Sequence, residues 1–250
     1  MAATSVAFVG TVGGIGCTRT VMEIGGVLAR SGLDVLLFDL DFATQGLGRH
    51  VEGSPGVDST SLLADPEAEL EAAVREWDVE GEGRLGVIPS LSPFVTIADA
   101  KTEAAGARVA DRIEEAADRF DWILFDVPPV VSNEAIGAVT AVDRVVAVIP
   151  PTERGIDGLQ RERGRLADVG SGFDDVLAVG AGDPPPDASV AIPSLPKTAP
   201  THRPATLSGA GSFVSEVAQA TDSLFAADVI APEAAGALER LQNLGDRLRS

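Results

Sequence analysis

The sequence predicts an α/β fold, a doubly wound and mainly parallel sheet flanked by helices, in a single domain over residues 1–250. Three observations predict it. Short apolar runs recur without polar alternation, as expected for parallel strands covered on both faces. Helix-length segments separate these runs. The ends of several runs carry a glycine turn or a carboxylate, where such a sheet gathers its ligands.

The elements follow in chain order. Ala2-Ala3-Thr4-Ser5 passes straight into Val6-Ala7-Phe8-Val9 with no basic segment or cleavage site, so this start reads as a first strand and not a leader. A glycine turn then delivers a helix over Thr18 to Ser31, closed by Gly32 in the C-cap manner. Further strands are expected at Val35 to Phe38, Leu85 to Ile88, Ile123 to Phe125, Val145 to Ile149 and Val176 to Val179. Helices are expected at Glu67 to Trp77, Ala107 to Phe120, Asn133 to Ala141 and Gly155 to Val169. Beyond Val179 a breaker cluster and Pro193, Pro196, Pro200 and Pro204 predict an irregular excursion over 180–206, holding one short strand at Val190 to Ile192. Helices at Ser212 to Phe225 and over 232–249 finish the chain. The second carries Leu238, Leu241, Leu244 and Leu248 at helical spacing. Glu239 and Asp246 dilute its basic residues, so packing on its own domain is expected and membrane binding is not.

Composition narrows the setting. No apolar run is long enough to span a bilayer, and Cys17 is the only cysteine, which excludes an internal disulfide and fits a reducing cytoplasm. Acidic residues number 38 against 19 basic ones, a formal charge of −19, and only Lys101 and Lys197 are lysines. The acid is spread along the chain, which reads as adaptation to high salt, haloarchaeal in origin, and the charge argues against DNA as a partner. His50 and His202 are too few and too separate for a metal cluster and read as surface residues. Trp77 and Trp122 read as packing residues.

The chemistry gathers at the strand ends. Gly10-Thr11-Val12-Gly13-Gly14-Ile15-Gly16-Cys17-Thr18 leads directly into a helix, where backbone N–H groups and the helix dipole suit an anion. Asp39-Leu40-Asp41 and Asp126-Val127-Pro128-Pro129 end two other strands. Two such carboxylates suit a metal–phosphate complex, one near Mg²⁺ and one near an attacking water.

These residues carry a resemblance. Val12-Gly13-Gly14-Ile15-Gly16-Cys17-Thr18 resembles the deviant Walker A loop of the ParA/MinD family of P-loop ATPases, written K-G-G-x-G-K-T. Leu36-Leu37-Phe38-Asp39-Leu40-Asp41 resembles its switch I, Phe120 to Pro129 its Walker B strand and switch II, and Ala141 to Pro150 the strand after it. The resemblance covers residues 4 to about 170. It implies ATP and Mg²⁺ as ligands, with Gly13, Gly14, Ile15, Gly16, Cys17, Thr18 and Arg19 around the phosphates. It also implies Thr18 and Asp126 on Mg²⁺ and Asp41 orienting the water.

The departures bear on function. The family pattern implies lysines at positions 17 and 12, the first gripping β- and γ-phosphates and the second reaching the partner subunit's nucleotide; this chain has Cys17 and Val12. It also lacks the family's adenine-contacting Asn after Val179. Each lost charge-assisted contact costs about 1.5–3 kcal/mol in binding, and about 2.7–4 kcal/mol where transition-state charge develops. The expectation is a partitioning, positioning or cell-division regulator that holds nucleotide weakly or not at all and hydrolyses ATP weakly or not at all. It would engage an unidentified protein partner and form no ATP-sandwich dimer. Two readings stay open beside it. One is an active ATPase using Arg19 or a partner's residue, although Arg19 also reads as solvent-facing. The other is a dinucleotide-binding oxidoreductase, with the glycine turn on a pyrophosphate and Asp39 at a ribose. Against this last reading, the chain has no tyrosine to serve as the catalytic residue of a short-chain dehydrogenase. Cys17 reads as a small residue filling the place of a lysine, with a reactive thiol as the alternative. Asp39 reads as bonded to backbone beside the loop.

Overall fold

A computed structural model describes residues 3–53, 56–207, 210–227 and 229. Its strands are β1 (Thr4–Gly10), β2 (Asp34–Asp39), β3 (Arg75–Trp77), β4 (Arg84–Ile88), β5 (Trp122–Val127), β6 (Arg144–Ile149), β7 (Asp175–Val179) and β8 (Val190–Ile192). They form one sheet in the order β3-β4-β2-β5-β1-β6-β7-β8. Every neighbouring pair is parallel except β3 with β4. From central β1 the chain runs out to β2, β4 and β3 at one edge. It returns through β5 and then builds β6, β7 and β8 on the other side. The carboxyl ends of β1, β2, β5 and β6 therefore open onto a shared crevice, the switch-point geometry that binds ligands.

Both faces of the sheet are covered, which is why the strands show no polar alternation. Val6 and Phe8 of β1 face α1 (Cys17–Arg30), together with Leu37, Leu124, Val146 and Leu177 of the neighbouring strands. Ala7 and Val9 face the other way, with Leu36, Phe38, Ile123 and Phe125. That second face is roofed by α2 (Ser59–Ala64), α3 (Leu70–Ala73), α5 (Glu103–Ala117) and α6 (Asn133–Ala141). Between α3 and α5 lies α4 (Phe94–Ala100); α7 (Glu153–Asp168) follows β6, and α8 (Ser212–Phe225) packs beside α1. Each large apolar side chain buried this way contributes about 1.5–3 kcal/mol.

Helix α1 sets the site, because its first turn carries Cys17, Thr18 and Arg19. It lies close to the sheet and to the excursion: a side chain at Gly25 would strike Leu37, and one at Gly26 would strike Thr206. Buried Glu23 fixes it further, accepting from the backbone N–H of Ala205 at 3.0 Å and of Thr206 at 2.9 Å. At the far end Gly32, at φ 89°, reverses the chain so that its N–H and that of Leu33 reach the carbonyls of Ala29 and Leu28.

Two expectations are corrected. The helix expected over Glu67 to Trp77 shrinks to the single turn α3, and Arg75-Glu76-Trp77 instead pairs antiparallel with Val87, Gly86 and Leu85. An open edge of β4 offers those backbone groups a ladder, and an Arg84–Glu76 ion pair at 2.6 Å clips it, which outweighs the helix preference of the preceding Glu and Ala residues. The second is α5, which begins at Glu103 and not at Ala107, because Thr102 caps it by accepting from the N–H of Ala105 at 3.2 Å. Helices α2 and α4 were unforeseen. Asp58 starts α2, accepting from the Ser61 N–H at 2.9 Å, and holds the β4–α4 connection through the Leu91 N–H at 2.8 Å. The excursion does hold the expected strand, β8, and then a 3₁₀ turn at Ala205–Leu207 that seats on α1. The helix expected over 232–249 lies outside the described residues.

Candidate phosphate and metal site

The glycine turn after β1 is built as a cradle. Thr11 pins its entry, with both the N–H and the hydroxyl on the Val148 carbonyl at 3.1 Å. Gly14 and Gly16 take φ of 78° and 85°, which only glycine adopts cheaply. A Cβ built at Gly13, Gly14 or Gly16 would meet nothing within 4 Å, so the turn presents bare backbone to open space. The first-turn N–H groups of α1 lie immediately beyond, unpaired by the helix itself and at its positive end. This is the surface a phosphate needs.

Cys17 turns away from it. Its thiol donates to the Phe8 carbonyl at 3.4 Å, back beneath β1. Burial, then the neighbouring Asp126 carboxylate, pushes its pKa well above the usual thiol value. A helix N-terminus ordinarily lowers a thiol pKa; here burial and Asp126 act in the opposite sense and favour the protonated thiol.

Thr18 points to the acids. Its hydroxyl donates to Asp126 Oδ2 at 2.5 Å. Burial raises the Asp126 carboxyl to about 6, against the pull of the Thr18 and Cys17 hydrogen bonds. Asp39 stands directly across from Asp126 in the β2–β5 register. It is fully buried and bonded to backbone, accepting from the N–H of Asp41 at 3.0 Å and of Leu47 at 3.1 Å. Burial and the facing Asp126 raise its pKa well above the carboxylate norm. Asp41 lies at the rim, with Oδ2 accepting from the Thr44 hydroxyl at 2.7 Å. The hydroxyl and carboxylate of Thr18 and Asp126 are hard oxygen donors already brought together, a set that fits Mg²⁺.

Arg19 is not solvent-facing: it turns toward Glu23 while lining the clefts on both sides of the cradle. Its Nε donates to Glu23 Oε1 at 2.6 Å, and its side chain is only 15% exposed. One histidine is corrected as well, while His202 is exposed, as expected. His50 is half-buried, with Nδ1 2.6 Å from the Thr201 carbonyl, and it lies near enough to His202 to feel its charge. Among the described residues no group of three or more potential ligands could hold a metal by itself. Trp122 packs against Phe225 with ring centroids 4.8 Å apart, the structural role expected of it.

Two clefts flank the cradle. One, of about 380 Å³, lies in front of the loop between Thr18, Asp41 and Asp126. The other, of about 760 Å³, runs beside Gly13 to Gly16 and is walled by Pro150, Val179, Ile192, Leu195 and Phe213. The glycines, Thr18, Asp41 and Asp126, picked out from the sequence, line one cleft together. Glu23, Arg49 and the apolar cleft are not picked out there, and His50 is read as a surface residue, although Arg49-His50 is a basic pair following closely on the acidic strand end.

A parallel sheet with a glycine cradle on its first strand, a hydroxyl behind it and carboxylates on the neighbouring strand ends defines the P-loop NTPase class. The family described as an AAA domain matches residues 3–171. The chromosome-partitioning ATPase Soj of Thermus thermophilus is 32% identical over 175 residues, covering 69% of this chain and 65% of that protein. The sporulation initiation inhibitor protein Soj of Bacillus subtilis is 29% identical over 62% of each chain. The chain therefore spans somewhat less than two thirds of these relatives' length. Among solved structures, the septum site-determining protein MinD of Pyrococcus horikoshii, complexed with Mg-ADP, superposes with a TM-score of 0.71 at 18% identity, over 89% of this chain and 96% of that one. A ParA family ATPase of Chlorobium tepidum gives 0.71 at 16% identity, over 90% and 99%. The chain belongs to the ParA/MinD family of P-loop ATPases. No helix of the described residues is long and apolar enough to cross a membrane.

Proposed function

We propose that this chain is a cytoplasmic positioning protein of the partitioning or cell-division kind, working through a protein partner, with a nucleotide site that hydrolyses ATP weakly or not at all. The observation that carries the reading is the pairing of an intact cradle with a missing charge. Gly13, Gly14, Ile15 and Gly16 keep their open face and Thr18 meets Asp126, while Val12 and the inward-turned Cys17 offer no cation to a phosphate. Thr18 and Asp126 would hold Mg²⁺, which when bound neutralises phosphate charge. Asp41, at the rim of the front cleft, would orient a water. The apolar cleft beside the loop is of a size and character to take a base, without the Asn that reads adenine. The net charge of −19 disfavours DNA and fits a halophilic, haloarchaeal setting.

A second reading, an active ATPase that recruits Arg19, draws on one feature: Arg19, although paired with Glu23, lines the cleft in front of the loop together with Thr18 and Asp126. The two readings differ in turnover and assembly. Our reading expects turnover at least about a hundredfold below a lysine-bearing relative, the scale of one lost transition-state donor. It also expects no ATP-dependent doubling of mass in light scattering, since Val12 cannot cross a sandwich interface. The double change Val12→Lys with Cys17→Lys should strengthen nucleotide binding. Wild-type turnover matching such a relative and abolished by Asp41→Ala, or an ATP-induced wild-type dimer, would replace this reading with the second.

A further inference from the structure

The front cleft carries more positive charge than the loop sequence indicates. The 3₁₀ turn Leu47–His50 follows β2 and brings Arg49 and His50 to the wall of this 380 Å³ cleft, which the glycine cradle and Arg19 also line. Arg49 Nη2 donates to the Thr44 carbonyl at 3.2 Å, and Thr44 is itself bonded to Asp41, so the guanidinium is steadied on the rim. His50 is anchored through Nδ1 to Thr201.

Of the other arginines, Arg84, Arg112, Arg119, Arg144, Arg163 and Arg165 each hold a carboxylate, while Arg75 and Arg108 are held by backbone carbonyls. Arg49 and His50 hold only backbone carbonyls. Arg19 is paired with Glu23, with Nε and Nη2 each 2.6 Å from Oε1, and that carboxylate also accepts from two backbone N–H groups. The same cleft is lined by Asp41 and Asp126, so cations and carboxylates stand together there, a mixture that suits a polyphosphate carrying Mg²⁺.

We infer that Arg49, with Arg19 and the His50 ring beside it, forms a wall that takes the phosphate oxygens of a polyphosphate chain in place of the absent loop lysines. The inference rests on the reading of the glycine turn as a phosphate site. The cradle grips one side of the chain through backbone N–H groups, and the wall supplies charge from the other. Thr18 and Asp126 keep the metal side free of cations. The ligand class is a nucleoside triphosphate or an inorganic polyphosphate with Mg²⁺, which share this chemistry.

Calorimetric titration of the full chain at fixed potassium chloride tests it, with ATP and with sodium tripolyphosphate, each in Mg²⁺. Arg49→Gln should weaken both ligands about tenfold, the scale of one charge-assisted hydrogen bond, and His50→Gln by less. Arg119→Gln removes an equal charge at the Glu71 pair away from the cleft and should leave both titrations unchanged. Thermal melts of the variants matching wild type would show that folding is intact, as expected for exposed Arg49. Wild-type binding that persists undiminished in Arg49→Gln and His50→Gln would overturn the inference and leave the cradle reading standing. Binding of ATP without tripolyphosphate would overturn it too, by placing the affinity in the base. Failure of the wild type to bind either ligand would overturn both readings.

Discussion

Cys17 and His50 show how single residues reset a loop whose backbone is unchanged. The thiol occupies the root of a side chain that in the family pattern would extend toward phosphate, and its hydrogen bond to Phe8 turns it under the sheet. His50 shows the opposite tendency, a titratable cation held close to others. Burial lowers its pKa, the Thr201 hydrogen bond opposes this, and the charges of Arg19, His202 and Arg49 lower it further. The folded protein therefore holds His50 neutral more firmly than the unfolded chain does. Stability from this group is fully present above about pH 6.5, the unfolded value, and is lost as pH falls through the lowered folded value. Denaturant midpoints taken from pH 8 to 5 should fall for the wild type, and His50→Gln should flatten that slope. Parallel slopes for the two proteins would show that His50 is not strained by its neighbours. A polyphosphate in the cleft should reverse the effect, because an anion beside the ring favours its protonated form.

At the scale of elements, α1 carries the site and Glu23 holds α1. Its carboxylate is 1% exposed and ties the helix to the 3₁₀ turn Ala205–Leu207, so a Pro-rich excursion remote in sequence becomes a brace for the phosphate loop. Glu23→Ala would strand two backbone N–H groups and leave Arg19 without its acid. The expected cost is about 3–5 kcal/mol, the range for breaking a buried charged network, read as a lowered urea midpoint. A loss under about 1 kcal/mol, the median for a surface pair, would show that the brace contributes little. None of this was legible in the sequence, where Glu23 is one acid among 38 and its partners lie more than 180 residues away. What was legible has a local cause. Unbroken apolar runs gave the six longer strands, and the Gly13 to Gly16 turn, Thr18 and Asp126 could be placed because they sit directly at strand ends. Segments governed by tertiary partners were misread or missed. Arg75 to Trp77 has the composition of a helix and becomes a strand only because β4 leaves an edge open. Helix α2 has too few residues for periodicity and depends on Asp58, which also reaches Leu91 and Ser92.

For the molecule as a whole the governing quantity is charge. With 38 acidic side chains and 19 basic ones, half of the acids have no basic partner in any arrangement. Their mutual repulsion acts over about 10 Å at 0.1 M salt but only about 3 Å at 1 M. Surface acids spaced between those lengths repel in dilute buffer and cease to repel in molar salt. If screening relieves about 3 kcal/mol, the melting midpoint should rise by roughly 6–12 °C, at 2–4 °C per kcal/mol for a chain of this size. A calorimetric melt across a potassium chloride series from dilute buffer to molar salt checks this. A midpoint that stays flat would remove the argument that the composition is an adaptation to salt. The same screening should act in the reverse sense at the phosphate site. There the attraction is between unlike charges, Arg19 and Arg49 against phosphate, so added salt weakens it while the backbone N–H contacts of the cradle persist. Stability should therefore climb with salt while polyphosphate affinity declines, and the decline should be shallower in Arg49→Gln because one of the screened contacts is already gone.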